Sequence, residues 1–442
     1  MTTTTDQPPG AGTCPECERA TLQRPFTRRA MLKGLLAGTG AAAAGSTLVT
    51  MDTRVAYALD AGYAGDTLVV LSLRGGIDGL SLVAPVGDPD YATLRPSIAV
   101  PQAAAVALPG TTLFGLHPMM APLLPMFTAG TFSAVHATGL PQPNRSHFSA
   151  MAEMEEATPG SVSRTGWLDR TLALHTSDGP FGAVQMGSTN MPTALVGPYP
   201  TLGMNSINSF TLSGTGNPSD RLRWGTALST LFGEADPVTA GAANDTLAAL
   251  NTAATLASTT YTPANGAVYP SGDLGDSLRD VVRLIKANVG IRVATIDLGN
   301  WDMHVGLGSV SNGWMHDKLI ELSAGLLAFA TDLGPLLNQT TLVTMSEFGR
   351  RAYENDSGGL DHGWGNVMLM VGGNLTPGVH GTWPTLSPAT LQVSDGDVLA
   401  TTDYRAVLAD ILYNRCGASS AAVQQVFPAF TGTTMGLTKP LA

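Results

Sequence analysis

The sequence predicts an α/β fold, a three-layer α/β/α sandwich built on a mainly parallel sheet. Three observations predict it. Largely apolar runs of strand length recur at Asp66–Leu73, Thr131–Ala137, Ile291–Leu298, Thr341–Met345 and Asn366–Val371. Such runs suit strands buried on both faces. Segments with helical apolar spacing lie between several of them, as βα units require. Acids and histidines cluster just after the runs, and sheets of this kind bind ligands beyond the carboxyl ends of their strands.

The chain has 442 residues, 44% hydrophobic and 13% charged. It can bury a large core, and it is too apolar for a disordered chain. The net charge of −11 argues against a nucleic-acid partner, because a phosphate backbone repels an acidic surface.

The elements follow in order. Thr27-Arg28-Arg29-Ala30-Met31-Leu32-Lys33 precedes a small, apolar run at Gly34–Val49, and Ala56-Tyr57-Ala58 offers a small-x-small cleavage site. This reads as a twin-arginine signal peptide over 1–58. The expected consequences are recognition by the twin-arginine export machinery, a secreted or cell-envelope location, and no stable membrane span after cleavage. No later stretch is expected to reach spanning length. Cys14 and Cys17 form a CxxC that cleavage discards. Cys416 is then the single mature cysteine, so no internal disulfide is expected. Residues 59–442 read as one domain.

Asp66–Leu73 ends in the glycine turn Arg74-Gly75-Gly76-Ile77-Asp78-Gly79. His117–Gly130 has helical spacing and a terminal glycine, with His117 a cap candidate. Ser146 is a plausible N-cap for a helix over 146–157. The stretch from about 158 to 270 is poorer in apolar runs and reads as an insertion of loops and helices capping the sheet. Amphipathic spacing predicts helices over Asp273–Asn288 and Asp317–Leu337, with closing helices at Thr401–Leu412 and Ser420–Phe430.

The polar clusters carry the chemistry. Asp302 and His304 are i and i+2, which point to one side of an extended chain. Asp361 and His362 are adjacent, and their glycine neighbours permit the irregular turn that two ligands on one ion require. Glu347 ends a strand, and Asp78 sits in a glycine turn. Carboxylates and imidazoles recurring at successive strand ends are what divalent metals need. Each also has a plainer reading. Asp78 can cap a turn, Glu347 can pair with Arg350 or Arg351, and His304 can be a surface imidazole. His136, His175 and His316 read as structural or solvent-facing, and His380 is a weaker ligand candidate. Ser146, at a helix start, can be a nucleophile favoured by the helix dipole or an ordinary cap. Arg145 suits a clamp for anionic oxygens, and His147 lies beside both.

These motifs occur in an ordered set: LSLRGGIDGLSLVAP at Leu71–Pro85, PNRSHFSAMAEMEEAT at Pro143–Thr158, GNWDMH at Gly299–His304, SEFGR at Ser346–Arg350, LDHGWG at Leu360–Gly365 and TTDYR at Thr401–Arg405. The set resembles the bacterial domain-of-unknown-function family 1501, which is grouped with the alkaline phosphatase and sulfatase superfamily. The resemblance implies an alkaline phosphatase-like sandwich with two divalent ions at the strand ends and a nucleophile at a helix start. Asp78 matches the first-strand metal aspartate, Ser146 the nucleophile, and Asp302 with His304 the later pair, at a shorter spacing than usual. Two assignments remain for the rest. Asp361-His362-Gly363 matches a superfamily motif literally. Alternatively, Glu347 takes its acid position and His362 the downstream histidine position. No Cys or Ser followed by x-Pro-x-Arg marks a formylglycine sulfatase.

The expected function is a secreted metal-dependent hydrolase of phosphate or sulfate esters. Asp78, Asp302, His304, Glu347, Asp361 and His362 would hold two ions of Zn, Mn, Ca or Mg. Ser146 would attack an anionic ester, assisted by Arg145 and His147. The alternative is a secreted binding or assembly protein that keeps the fold without turnover.

Overall fold

The computed structural model describes residues 63–159, 165–175, 179–212 and 217–441. The expected signal peptide, with Arg28, Arg29, Cys14 and Cys17, lies outside these residues. The described chain from Tyr63 onward falls in one compact unit.

Among the described residues the main sheet has nine strands: β1 (Thr67–Leu73), β2 (Phe132–Gly139), β3 (Ala183–Met186), β4 (Leu202–Met204), β5 (Val293–Leu298), β6 (Thr340–Met345), β7 (Asn366–Gly372), β8 (Val379–His380) and β9 (Thr402–Asp403). Their order is β8-β2-β7-β6-β1-β5-β3-β4, with β9 also on β2. β1 lies between β5 and β6 and runs parallel to both. The ladders are parallel except for those of β7, which is antiparallel to β2 and to β6.

The apolar runs form strands because both their faces are covered. Along β1, Val69, Leu71 and Leu73 join one core. Leu68 and Val70 join the other. The helices named here are α1 (His147–Glu156), α2 (Trp167–Leu172), α3 (Pro218–Gly233), α4 (Pro237–Ala257), α5 (Asp273–Lys286), α6 (Trp314–Leu333), α7 (Tyr404–Arg415) and α8 (Ser420–Val426). α5 and α6 supply Leu274, Leu278, Val281, Leu319, Leu322 and Phe329 to the first core. α1, α2, α7 and α8 supply Met154, Trp167, Leu408 and Val426 to the second. Each such side chain contributes about 1.5–3 kcal/mol on leaving water. α5 also places Asp273 and Asp276 in its first turn and Arg283 and Lys286 in its last, each favourable to the helix dipole.

Two expectations change. The stretch from about 158 to 270 does carry helices, but it also adds β3 and β4 to the sheet edge, in parallel register with β5. These strands have only four and three residues, too short for a clear apolar run. The segment Trp314–Gln339 is long and apolar enough by length and composition to cross a membrane, contrary to the reading of the sequence. More than half of its apolar window is buried in this fold, and α6 packs there as a core helix.

The direction of β7 places the site. Parallel strands deliver their carboxyl ends to one edge. An antiparallel strand begins at that same edge, so the loop before β7 arrives where β1, β2, β5 and β6 end. The SEFGR and LDHGWG segments pair there. Gly363 N–H donates to the Gly349 carbonyl at 2.8 Å, Gly349 N–H to Trp364 at 2.9 Å, and Arg351 N–H to Asp361 at 3.0 Å.

Candidate metal centre at the strand ends

Three imidazoles meet one carboxylate at this edge. His147 opens α1 just after β2, Asp302 and His304 follow β5, and His362 lies in the loop before β7. One ligand atom each from His147, Asp302 and His362 lies within 4.8 Å of the others. His304 Nε2 joins them, 2.9 Å from His362 Nε2 and 3.1 Å from Asp302 Oδ1. His362 Nε2 is also 3.1 Å from Asp302 Oδ1.

The far side of each ring settles its tautomer. His147 Nδ1 bonds Glu347 Oε1 at 2.8 Å. His304 Nδ1 bonds Asp361 Oδ1 at 3.0 Å. His362 Nδ1 bonds the Arg145 carbonyl at 2.8 Å. A carboxylate or carbonyl oxygen has no proton to give, so each Nδ1 donates. In the neutral rings every Nε2 is then a bare lone pair facing Asp302. Two such lone pairs 2.9 Å apart repel unless a cation lies beside them or one ring carries a second proton. His147 Nε2 is buried with no hydrogen-bond partner, and Asp302 Oδ2 lies 3.4 Å away. Orienting imidazoles through carboxylates and carbonyls is how proteins prepare metal ligands. Three nitrogens and one oxygen suit a borderline divalent ion such as zinc better than the hard ions calcium or magnesium. The donor set therefore fits a divalent ion.

The electrostatics keep the carboxylates charged. Burial tends to raise the Asp302 carboxyl, but the hydrogen bond and charge of Arg350 outweigh it and hold it at about 2. Burial also opposes ionisation of Glu347, and its bonds from His147 and the backbone bring it below the ordinary range. Asp361 is lowered, chiefly by its bond from His304. The bond to Glu347 raises His147 above the usual imidazole value, whereas burial lowers His362.

Arg350 ties the loops together. Its guanidinium is buried and donates to Asp302 Oδ1 at 2.7 Å, to Leu360 O at 2.9 Å and to Trp301 O at 3.2 Å. It also bonds the Gly75 and Gly76 carbonyls. Five N–H donors in a rigid fork can make this junction where one ammonium cannot. The plain reading that paired Glu347 with Arg350 is therefore corrected: the arginine is on Asp302 and the glutamate on His147. Asn355 was not foreseen either. Its amide bonds Asp361 Oδ1 at 3.2 Å and the His304 carbonyl at 2.9 Å.

Asp78 is not brought to the cluster. Its carboxylate receives two bonds from Arg95, at 2.6 and 2.9 Å, and one from Ser81 at 2.5 Å. Both partners of this ion pair are almost fully buried, so its oxygens are committed. The expectation that Asp78 holds a metal is corrected by that geometry. β1 contributes backbone instead. Gly75 N–H donates to Glu347 Oε1 at 2.8 Å. Gly75 has φ +117°, and a Cβ there would lie 2.7 Å from the Asp302 nitrogen. Gly75→Ala is expected to cost roughly 1–3 kcal/mol in backbone strain alone, with further loss from that contact. A denaturant melt and a metal titration of the variant check both effects.

Arg145 also departs from its expected role. Its guanidinium bonds Asp397 at 2.6 Å and Asp395 at 3.1 Å; its carbonyl is what serves the site. Ser146 stands at the N-cap of α1 but makes no side-chain cap bond. It is exposed. Its neighbours on both sides touch the cluster, Arg145 through His362 and His147 directly.

The other histidines lie elsewhere. His136 is buried, bonds Val83 O at 3.0 Å, and is lowered to about 4 by burial. His117 caps its turn through Met119 N–H at 3.2 Å. His380 bonds Thr376 O, and His316 bonds Asp317. His175 packs edge-on against Tyr63.

A family model described as "Protein of unknown function (DUF1501)" matches residues 129–411. The chain belongs to the DUF1501 family. That match spans the DUF1501 protein from just before β2 through most of α7, and includes every residue of the histidine cluster. No curated protein matches it. A solved structure titled "Crystal structure of Ps i-CgsB" is similar over 84% of this chain and 75% of its own, at 11% identity and a TM-score of 0.30. A likeness that distant says nothing about the site.

Proposed function

We propose that this DUF1501 protein is an exported metal-dependent hydrolase of phosphate or sulfate esters, with an alkaline phosphatase-like arrangement of layers. The observation that carries the metal part is the three imidazoles, each anchored at Nδ1 and each turning Nε2 toward Asp302. His147, Asp302, His304 and His362 hold one divalent ion in this reading. Two ions were expected from the sequence, but Asp78 is committed to Arg95, and Glu347 and Asp361 are committed to imidazoles. A bound divalent ion supplies Lewis-acid polarisation of an ester oxygen and a lowered pKa at an attacking oxygen.

The chain's own groups do the rest. Ser146 offers an exposed hydroxyl at the start of α1, beside His147, where the helix dipole favours an anion. Its hydroxyl is the proposed nucleophile. Arg350, behind Asp302, keeps that carboxylate ionised and fixed. Arg145 acts through its carbonyl, holding the His362 ring. Glu347 and Asp361 orient His147 and His304.

The test is elemental analysis of exported protein together with arylphosphate and arylsulfate hydrolysis. One equivalent of zinc or manganese, and turnover lost on chelation, is the expected result. Metal-free protein whose stability a chelator leaves unchanged sinks the reading and favours a binding protein without turnover. Asp361→Ala separates an orienting residue from a ligand. It is expected to weaken metal binding by about 10–100-fold while leaving the stoichiometry intact, as isothermal titration would show.

A further inference from the structure

One long helix is left unclaimed by the core. α3 packs against α4, and α4 is anchored in turn, since Ala249 and Ala253 in its second half join the first core. α3 has no such anchor, and none of its described residues is buried. Leu228 and Phe232, half-buried and four residues apart, mark the side that meets α4. Another side carries Trp224, Ala227 and Leu231 at successive steps of three and four residues, which sets them along one seam. Trp224 is 49% exposed and Leu231 58%. Single exposed apolar side chains need no explanation, but a tryptophan and a leucine aligned on one helix make a patch of the kind that marks an interaction site.

Charge and shape say what covers it. Arg223 and Glu234 are exposed, and among the described residues neither is in an ion pair. They lie about three turns apart on the same flank of the seam. The base is near the start of α3, and the acid stands just past its end. Asp220, also near the start, is held by the Asn217 amide at 2.7 Å. An antiparallel copy of the same helix brings the unlike ends together and sets that flank against itself. Laying Leu231 of one helix over the partner's Ala227 puts a large side chain on a small one, twice by symmetry. That register also brings Arg223 to within one residue of the partner's Glu234, again twice. Packing and charge thus choose one alignment, and a patch complementary to itself is what a two-fold interface requires.

We infer that α3 is the contact of a symmetric dimer, in which two copies of this chain pair antiparallel along Trp224, Ala227 and Leu231. The area sets its strength. Two helices of 16 residues, each about 24 Å long, bury less than the roughly 1,200 Å² of a standard interface. The dimer is therefore reversible and forms as concentration rises. It does not depend on the hydrolase reading, because α3 supplies no residue to the histidine cluster.

The test is analytical ultracentrifugation of the full exported chain over a wide range of concentration. Wild type is expected to pass from monomer to dimer. Leu231→Arg should weaken association at least about tenfold. Leu222→Arg, on the same helix but off the seam and 73% exposed, should leave it unchanged. Both sites are exposed, so both variants should fold, as circular dichroism would confirm. The charges give the sharper readout. Arg223→Glu or Glu234→Arg alone should weaken the dimer about two- to tenfold. The two together exchange the signs at both ends and should restore it. A monomer at every concentration overturns the inference. So does a dimer that Leu231→Arg leaves intact, or a double exchange that stays as weak as the single variants. Binding of phosphatidylcholine vesicles by a chain that remains monomeric also overturns it, and assigns the seam to a membrane surface.

Discussion

Asp302→Ala is expected to abolish both stoichiometric metal binding and ester hydrolysis. Asp302 is the carboxylate that all three Nε2 atoms approach. Its loss removes the negative charge that compensates a cation there, and it leaves Arg350, which is buried, without its ionic partner. The loss in metal affinity should exceed the roughly 100-fold that marks removal of an orienting partner. Asp302→Asn keeps the shape and the Arg350 acceptor but not the charge. It should restore stability while leaving binding impaired. Titration with zinc, beside a urea melt of each variant, reads the two effects separately. Full metal affinity in Asp302→Ala would mean that the cluster is a hydrogen-bonded network and nothing more.

The second large effect concerns Asp78 and Arg95. Removing one partner of a buried pair strands the other charge, which costs about 3–5 kcal/mol. Arg95→Met is therefore expected to lower the urea midpoint by that equivalent. It also frees the Ala352 and Arg351 carbonyls that Arg95 holds. The double variant Asp78→Asn with Arg95→Met removes both charges and should recover much of the loss. It should also bind metal with unchanged stoichiometry. Loss of the ion in that double variant would return Asp78 to the ligand set.

The same pair has a pH signature. Burial resists ionisation of Asp78, but Arg95 outweighs it and the folded carboxyl lies below its ordinary value. A depressed carboxyl contributes stability that is present above the unfolded value of about 3.9 and is lost as pH falls through the lower folded value. Wild type should therefore lose more stability than the double variant across that acid window. Denaturant melts through the same range check it.

The strands and most helices were legible because period and length carry them. Runs at 66–73, 131–137, 291–298, 341–345 and 366–371 all became strands of the main sheet within a residue or two. The edge strands β3 and β4 were not, since three or four residues offer no run to read. The identity of the cluster was also largely legible: His147, Asp302, His304 and His362 were all singled out from strand-end position. Their roles were not. Asp78, Glu347 and Asp361 carry the same chemical group as Asp302, and a sequence cannot show which carboxylate faces a guanidinium and which faces an imidazole. Arg350 was visible in its motif, but its reach to five oxygens on three loops was not.

The sequence by itself determined which atoms were available and at which edge they would gather. Acids and histidines after buried apolar runs must come to strand ends, because the strand interiors have no room for charge. Only the tertiary structure decided who meets whom. His147 and Glu347 are 200 residues apart, and Asp302 and His362 are 60 apart. Those pairings depend on the antiparallel run of β7, which brings the loop before it to the carboxyl edge, and on the burial of Arg95, which claims Asp78 before any metal can.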